Sequence, residues 1–118
     1  MLSNQENIQL KVNKINEYTY SITERGCTVY LIIGSKKAMV IDFLLPGAFS
    51  LLAEIRKYTQ NELIPVLTHG HIDHTGHLDE FKTVYLAEED LHLLSKQNVE
   101  INYLTDRQEF DLGNLLVK

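Results

Sequence analysis

Only one cysteine, Cys27, occurs in 118 residues, so no intrachain disulfide can form. It leads into Val29-Tyr30-Leu31-Ile32-Ile33 and reads as a strand residue rather than a reactive thiol. Basic residues are few: 11 Lys and Arg stand against 16 Asp and Glu, a formal net charge of −5. No basic stripe is available to neutralise phosphates, which argues against a nucleic-acid partner, and Lys36-Lys37 reads as a solvated turn. No apolar run approaches the length that spans a bilayer, so no membrane partner is expected. The first residues, Met1-Leu2-Ser3-Asn4-Gln5-Glu6-Asn7, hold neither a basic region nor an apolar stretch, so a signal peptide is not expected and a cytoplasmic location is. No repeat and no low-complexity segment appears. What is present is an ordinary globular composition, 44% hydrophobic, which excludes disorder and fits one domain over 1–118.

The apolar pattern divides the chain in two. Ile8, Leu10 and Val12 alternate with polar residues, as do Tyr18, Tyr20 and Ile22 after a turn near Asn16, and both read as half-buried strands. Glu24-Arg25-Gly26 breaks the pattern, and 27–33 is an almost continuous apolar run expected to be a strand covered on both faces. Gly34-Ser35-Lys36-Lys37 is a hairpin signal, with 38–42 returning antiparallel. Beyond the loop at Pro46-Gly47 the period changes, and Leu51, Leu52, Ile55 and Tyr58 share one face of a helix over 48–59. Strand is expected at 63–68 and 84–86. Helix is expected at 74–81, with Leu78 and Phe81 inward, and at 88–96. Residues 99–118 suggest a hairpin turning at Gly113-Asn114.

Four of the five histidines lie between 68 and 77, in Thr-His-Gly-His-Ile-Asp-His-Thr-Gly-His. Neutral imidazole is a common ligand for borderline metals, and a carboxylate adds negative charge to the same site. Residues two apart on an extended chain point to one side, so His69 and His71 can converge on one ion as they leave a strand end. Asp73-His74-Thr75-Gly76 has the character of a helix start with Asp73 near the N-cap, which directs Asp73 and His74 to a second point nearby. Two ligand pairs on one short segment suit a two-metal site that activates water. A plain histidine tract lacks the leading strand, the aspartate and the glycines. His77 is expected on the helix, lining the cleft or facing solvent, rather than as a further ligand. His92 reads as a partly exposed helix residue. Glu88, Glu89 and Asp90 read as a solvated helix N-terminus rather than a metal patch.

This segment resembles the His-x-His-x-Asp-His signature of the metallo-β-lactamase superfamily of hydrolases, carried here by His69, His71, Asp73 and His74. Ala38-Met39-Val40-Ile41-Asp42 resembles the family's apolar strand ending in Asp. Thr83-Val84-Tyr85-Leu86 and Glu88-Glu89-Asp90-Leu91 resemble the strand and helix after the metal loop, and Phe110-Asp111-Leu112-Gly113 a later turn. The chain departs from the pattern at Phe43-Leu44-Leu45-Pro46-Gly47, where the family more often has a small residue and Gly. The family's later metal-binding His, bridging Asp and final His have no counterpart before Lys118.

The resemblance implies an α/β (α+β) fold, the N-terminal half of an αββα sandwich, with a mostly antiparallel sheet and flanking helices. The sheet face meant for the second sheet would be apolar and open. A homo-oligomer or the missing C-terminal half is the expected partner, beside a small-molecule substrate. The implied activity is metal-dependent hydrolysis of an ester, thioester, lactone or related bond, nearest in style to the glyoxalase II-like branch. Zn2+ is the implied cofactor, as one or two ions, with Fe or Mn also acceptable to such donors. His69 and His71 would hold one ion, and Asp73 and His74 the other. Asp73 would also orient the attacking water, and Asp42 would hold a metal-binding imidazole in place from behind. The alternative is a catalytically inactive half-domain that serves as a metal-binding or interaction module.

Overall fold

The structure, a computed structural model, describes residues 10–45, 47, 49–68, 76–88, 99–105 and 107–117. Its first third is built by short turns between apolar strands. β1 (Lys11–Lys14) and β2 (Thr19–Glu24) are joined by a turn in which Asn16 Oδ1 accepts from Tyr18 N at 2.9 Å and Ile15 N donates to Thr19 O at 2.8 Å. β2 passes to β3 (Cys27–Ile33) through Arg25-Gly26, both at positive φ (50° and 82°), the backbone that a two-residue hairpin requires. β4 (Lys37–Ile41) returns antiparallel, with Gly34 N donating to Lys37 O at 2.9 Å.

After β4 the connections change character, and so does the sheet. The helix α1 (Leu51–Ile55) leads to β5 (Glu62–Val66), a 3₁₀ turn (Leu78–Glu80) leads to β6 (Thr83–Leu86), and β7 (Glu100–Tyr103) follows. Crossovers return the chain to the same end, so β4, β5, β6 and β7 pair parallel. The order β1-β2-β3-β4-β5-β6-β7 follows the sequence. The sheet is therefore mixed, antiparallel up to β4 and parallel beyond it, rather than mostly antiparallel. β7 was not expected; its Glu-Ile-Asn-Tyr alternation is the half-buried kind. The helix expected at 88–96 lies, apart from Glu88, outside the described residues. Among the described residues no helix is long and apolar enough to cross a membrane.

Alternation sorts the strands into two faces. On the first, Ile22, Val29, Leu31, Val40, Val84 and Leu86 are fully buried. Leu51 and Ile55 pack on them from α1, four residues apart and so on one helical face. Phe43 and Phe81 close this core with ring centroids 5.1 Å apart, and Leu78 and Phe81 point inward as expected. Each such aliphatic or aromatic side chain stabilises the fold by about 1.5–3 kcal/mol relative to exposure.

The second face is covered by a two-stranded hairpin, β8 (Phe110–Asp111) and β9 (Leu116–Val117), whose Phe110 and Leu112 pack on Met39, Ile64 and Val66. The hairpin turns at Gly113-Asn114, as expected, and latches onto the β3–β4 turn. Leu112 O accepts from Lys36 N and Lys37 N at 2.9 and 3.1 Å, and Asn114 Oδ1 accepts from Ser35 N at 2.7 Å. Gly34 is required here, because a Cβ on it would stand 2.3 Å from Leu112 Cβ and O. The face expected to be open is thus partly covered by the chain itself. In turn β3, expected to be covered on both faces, is only partly so: Val29 and Leu31 are buried on one face, while on the other Ile32 packs against the hairpin cluster and Tyr30 stays 43% exposed. Helix, sheet and the start of a second sheet make an α+β sandwich in layers.

Candidate metal site

The site is built around the turn that follows β4. Asp42 N donates to Val66 O at 2.9 Å, which carries the β4–β5 pairing one residue past the strand. The chain then bends through Asp42 and Leu44 at φ 71° and 63°. Side chains avoid this left-handed backbone, Asp less than most, and Leu44 stores on the order of 1–3 kcal/mol there. The strain has a use. It directs the polar groups of residues 42–44 toward two other parts of the chain.

The Asp42 carboxylate is buried and grips Thr68: Oδ1 accepts from Thr68 N at 2.8 Å and Oδ2 from Thr68 Oγ1 at 2.6 Å. Leu67 N donates to Tyr85 O at 2.8 Å, which fixes the strand just before it. Leu44 O accepts from Gly76 N at 2.6 Å and Phe43 O from His77 N at 3.0 Å. The histidine-rich segment therefore leaves from Thr68 and returns at Gly76, and both ends are tied to one three-residue turn.

His69, His71, Asp73 and His74 themselves lie outside the described residues, as does His92. Among the described residues no group of three or more His, Cys, Asp and Glu stands together to hold a metal. The frame nonetheless fits the donor set. Three imidazoles and a carboxylate suit zinc, and a segment whose two ends are pinned to one turn begins and ends in one place. Asp42 is beside the segment as expected. The partner that its two oxygens share is Thr68, the residue before His69; any contact with a metal-binding imidazole lies outside the described residues.

Of the two places expected for His77, lining the cleft or facing solvent, the second is excluded. The residue is 4% exposed, with its ring 4.5 Å from Phe49 and its Nδ1 2.7 Å from Glu80 Oε2. Nε2 is buried with no hydrogen-bond partner among the described residues. Glu80 was not singled out in the sequence, yet it joins three parts of the chain. It accepts from Ser50 Oγ at 2.6 Å, from Leu52 N at 3.0 Å and from Leu51 N at 3.2 Å, besides the imidazole. Ser50 is the N-cap of α1 and accepts from Ala53 N at 3.0 Å. A local capping box would put a carboxylate at position 53, where this chain has Ala; Glu80, 30 positions after Ser50, brings a carboxylate to the same helix end and takes the free N–H groups of Leu51 and Leu52. Burial raises the Glu80 carboxyl pKa, but the hydrogen bonds from Ser50, Leu52, His77 and Leu51 outweigh it and hold the group below its ordinary range.

A cavity of about 370 Å³ opens beside Thr68, at the C-terminal ends of β4 and β5. Met39, Ile41, Val66 and Phe110 give it apolar walls, and Thr105 and Arg107 stand at it from the chain that follows β7. Strand ends of this kind are where ligand sites gather in open α/β sheets.

A layered α+β scaffold thus holds both flanks of the His/Asp-rich segment at its strand ends. The model of the Metallo-beta-lactamase superfamily matches residues 22–94, more than half of the chain, and the chain belongs to that superfamily. Solved structures agree on the fold. A metallo-beta-lactamase from Pontibacter korlensis superposes with a TM-score of 0.71 at 23% identity, over 92% of this chain and 58% of that one. The DIM-1 metallo-beta-lactamase gives 0.62 at 22%, over 90% and 56%. A metallo-beta-lactamase from Hirschia baltica gives 0.60 at 15%, over 86% and 56%. The chain thus spans somewhat over half the length of these structures. A comparison with curated proteins gives no match.

Proposed function

We propose that this chain forms the metal-holding part of a metal-dependent hydrolase acting on an ester, thioester, lactone or related bond. The observation that carries the reading is the anchorage of both flanks of the His69–His74 segment, Thr68 and Gly76-His77, on the 42–44 turn. Superfamily membership supports it.

In this reading His69 and His71 hold one zinc ion, and Asp73 and His74 hold a second. When bound, zinc supplies an acidified water and a Lewis acid for the carbonyl. The chain's own residues do the rest. Asp42 and Thr68 fix the start of the segment, Leu44 and Phe43 fix its end, and Asp73 accepts a hydrogen bond from the attacking water to orient it. The cavity beside Thr68 takes the apolar part of a small acyl substrate, a class of ligand that its walls and volume suit. A catalytic zinc ordinarily has three protein ligands. Two per ion leave one to be supplied, by a second copy of this chain or by a C-terminal half.

The test is turnover of thioester, lactone, β-lactam and phosphodiester panels with zinc, manganese or iron added. Measurable ester, thioester or lactone hydrolysis that disappears in Asp73→Ala supports the reading. Hydrolysis that survives Asp73→Ala, or that needs no metal, contradicts it.

A further inference from the structure

We infer that His77 and Glu80 are positioning residues, a hydrogen-bonded pair that sets the outgoing end of the His69–His74 segment and thereby its affinity for metal. The inference rests on the proposed metal function and adds two residues that the signature does not contain.

The incoming end of the segment is held by a side chain, since both Asp42 oxygens bind Thr68. At the outgoing end Gly76 N and His77 N bind the carbonyls of Leu44 and Phe43. Those two bonds fix where the main chain passes. The imidazole adds a third restraint from another direction, because Nδ1 reaches Glu80 and the ring lies against Phe49. A carboxylate accepts only, so Nδ1 carries the hydrogen. Glu80 is itself immobilised by Ser50 Oγ, Leu51 N and Leu52 N at the start of α1. With His77 these donors fill the about four lone-pair sites of a carboxylate. The outgoing end is thus bolted to α1 through one saturated acceptor.

Packing alone does not account for an imidazole here. Its Nε2 is buried with no partner among the described residues, which burdens the fold. A phenyl ring would fill the same space beside Phe49 with no such burden. What the imidazole does and phenyl cannot is donate to Glu80. His77 follows His74, a proposed ligand, by three positions, so the direction of the chain at 77 bears on where that ligand is delivered. Groups that orient metal ligands from behind alter metal affinity by roughly 10–100-fold when removed.

The experiment measures zinc affinity of the full chain by competition with a chromophoric chelator, together with the visible spectrum of the cobalt-loaded protein. Three variants separate the roles of the ring and its donor. His77→Phe keeps the ring and loses the donor. His77→Asn puts an amide nitrogen where Nδ1 stood. His77→Gln puts it near the place of Nε2. The expected result is zinc binding weakened by roughly 10–100-fold in His77→Phe and His77→Gln, substantial recovery in His77→Asn, and a cobalt spectrum altered in the first two and restored in the third. Should His77→Phe fail to fold, the Asn and Gln variants, alike in polarity, still decide. Zinc affinity within threefold of the parent in His77→Gln, or no advantage of Asn over Gln, overturns the inference while the parent's zinc binding stands. A parent chain that binds no zinc removes the proposed function and this inference with it.

Discussion

Replacement of Asp42 isolates the frame from the metal, because its effect is set by the fold alone. In Asp42→Ala, Thr68 loses the acceptors of its N–H and its hydroxyl, which now meet the carboxylate at 2.8 and 2.6 Å. A hydrogen bond to a charged group contributes about 1.5–3 kcal/mol, and two that share one buried carboxylate overlap, so about 2–4 kcal/mol is expected from their loss. The backbone adds to this. Asp42 sits at φ 71°, where Ala is disfavoured by roughly 1 kcal/mol or more and Gly is not. Asp42→Ala should therefore destabilise the chain by about 3–5 kcal/mol, and Asp42→Gly by about 1 kcal/mol less, although Gly is the smaller residue. Asp42→Asn keeps one acceptor and tolerates the left-handed backbone, so it should fall between the parent and Gly. Urea unfolding in chelator, followed by circular dichroism, measures all three without metal. A loss below about 0.5 kcal/mol in Asp42→Ala, the range of ordinary surface changes, would refute the anchoring role. Asp42→Gly less stable than Asp42→Ala would refute the backbone argument.

Gly34→Ala should undock the β8–β9 hairpin, since the added methyl carbon would meet Leu112 backbone at 2.3 Å. The expected cost is about 1–3 kcal/mol, with loss of the Tyr85–Phe110 edge contact, read by near-ultraviolet circular dichroism and aromatic NMR shifts. Glu80→Gln should lower stability by about 1–3 kcal/mol at neutral pH, as one of its oxygens gives way to a donor. The folded-state pKa of Glu80 is depressed, so its contribution is complete above the ordinary glutamate range and is lost as pH falls through the depressed value. The stability gap between the parent and Glu80→Gln should therefore narrow on acidification, and a gap that widens as pH falls would contradict the assignment.

Local pattern carried the strands well. Cys27–Ile33 falls where the apolar run placed it, because a stretch bounded by Arg25-Gly26 and Gly34-Ser35 leaves little choice of limits. The β8–β9 hairpin follows from Gly113-Asn114 for the same reason. The helix expected over 48–59 shortens to Leu51–Ile55, after which Tyr58 N and Thr59 N still bond to Ile55 O as the chain turns away. What escaped the sequence is non-local. The parallel order beyond β4 depends on which strand end each crossover reaches. How far the second face of β3 is covered depends on where the hairpin at Phe110–Val117 comes to rest. Glu80 caps a helix that begins far from it in sequence, and no window along the chain contains both. In the site, the His-x-His-x-Asp-His segment stood out as a candidate ligand set, whose residues lie outside the described ones, and Asp42 was legible as its neighbour. The left-handed turn at Asp42 and Leu44 was not, because neither residue is a glycine that would signal it.

Zinc stoichiometry tests the central claim most directly. The purified chain is stripped with chelator, reloaded, and desalted, and its zinc is counted by elemental analysis beside that of the double variant His69→Ala/His71→Ala. The parent is predicted to retain one or two equivalents and the double variant to retain less than stoichiometric zinc, with circular dichroism unchanged. Equal zinc in the two proteins would contradict the assignment of this segment as the metal site.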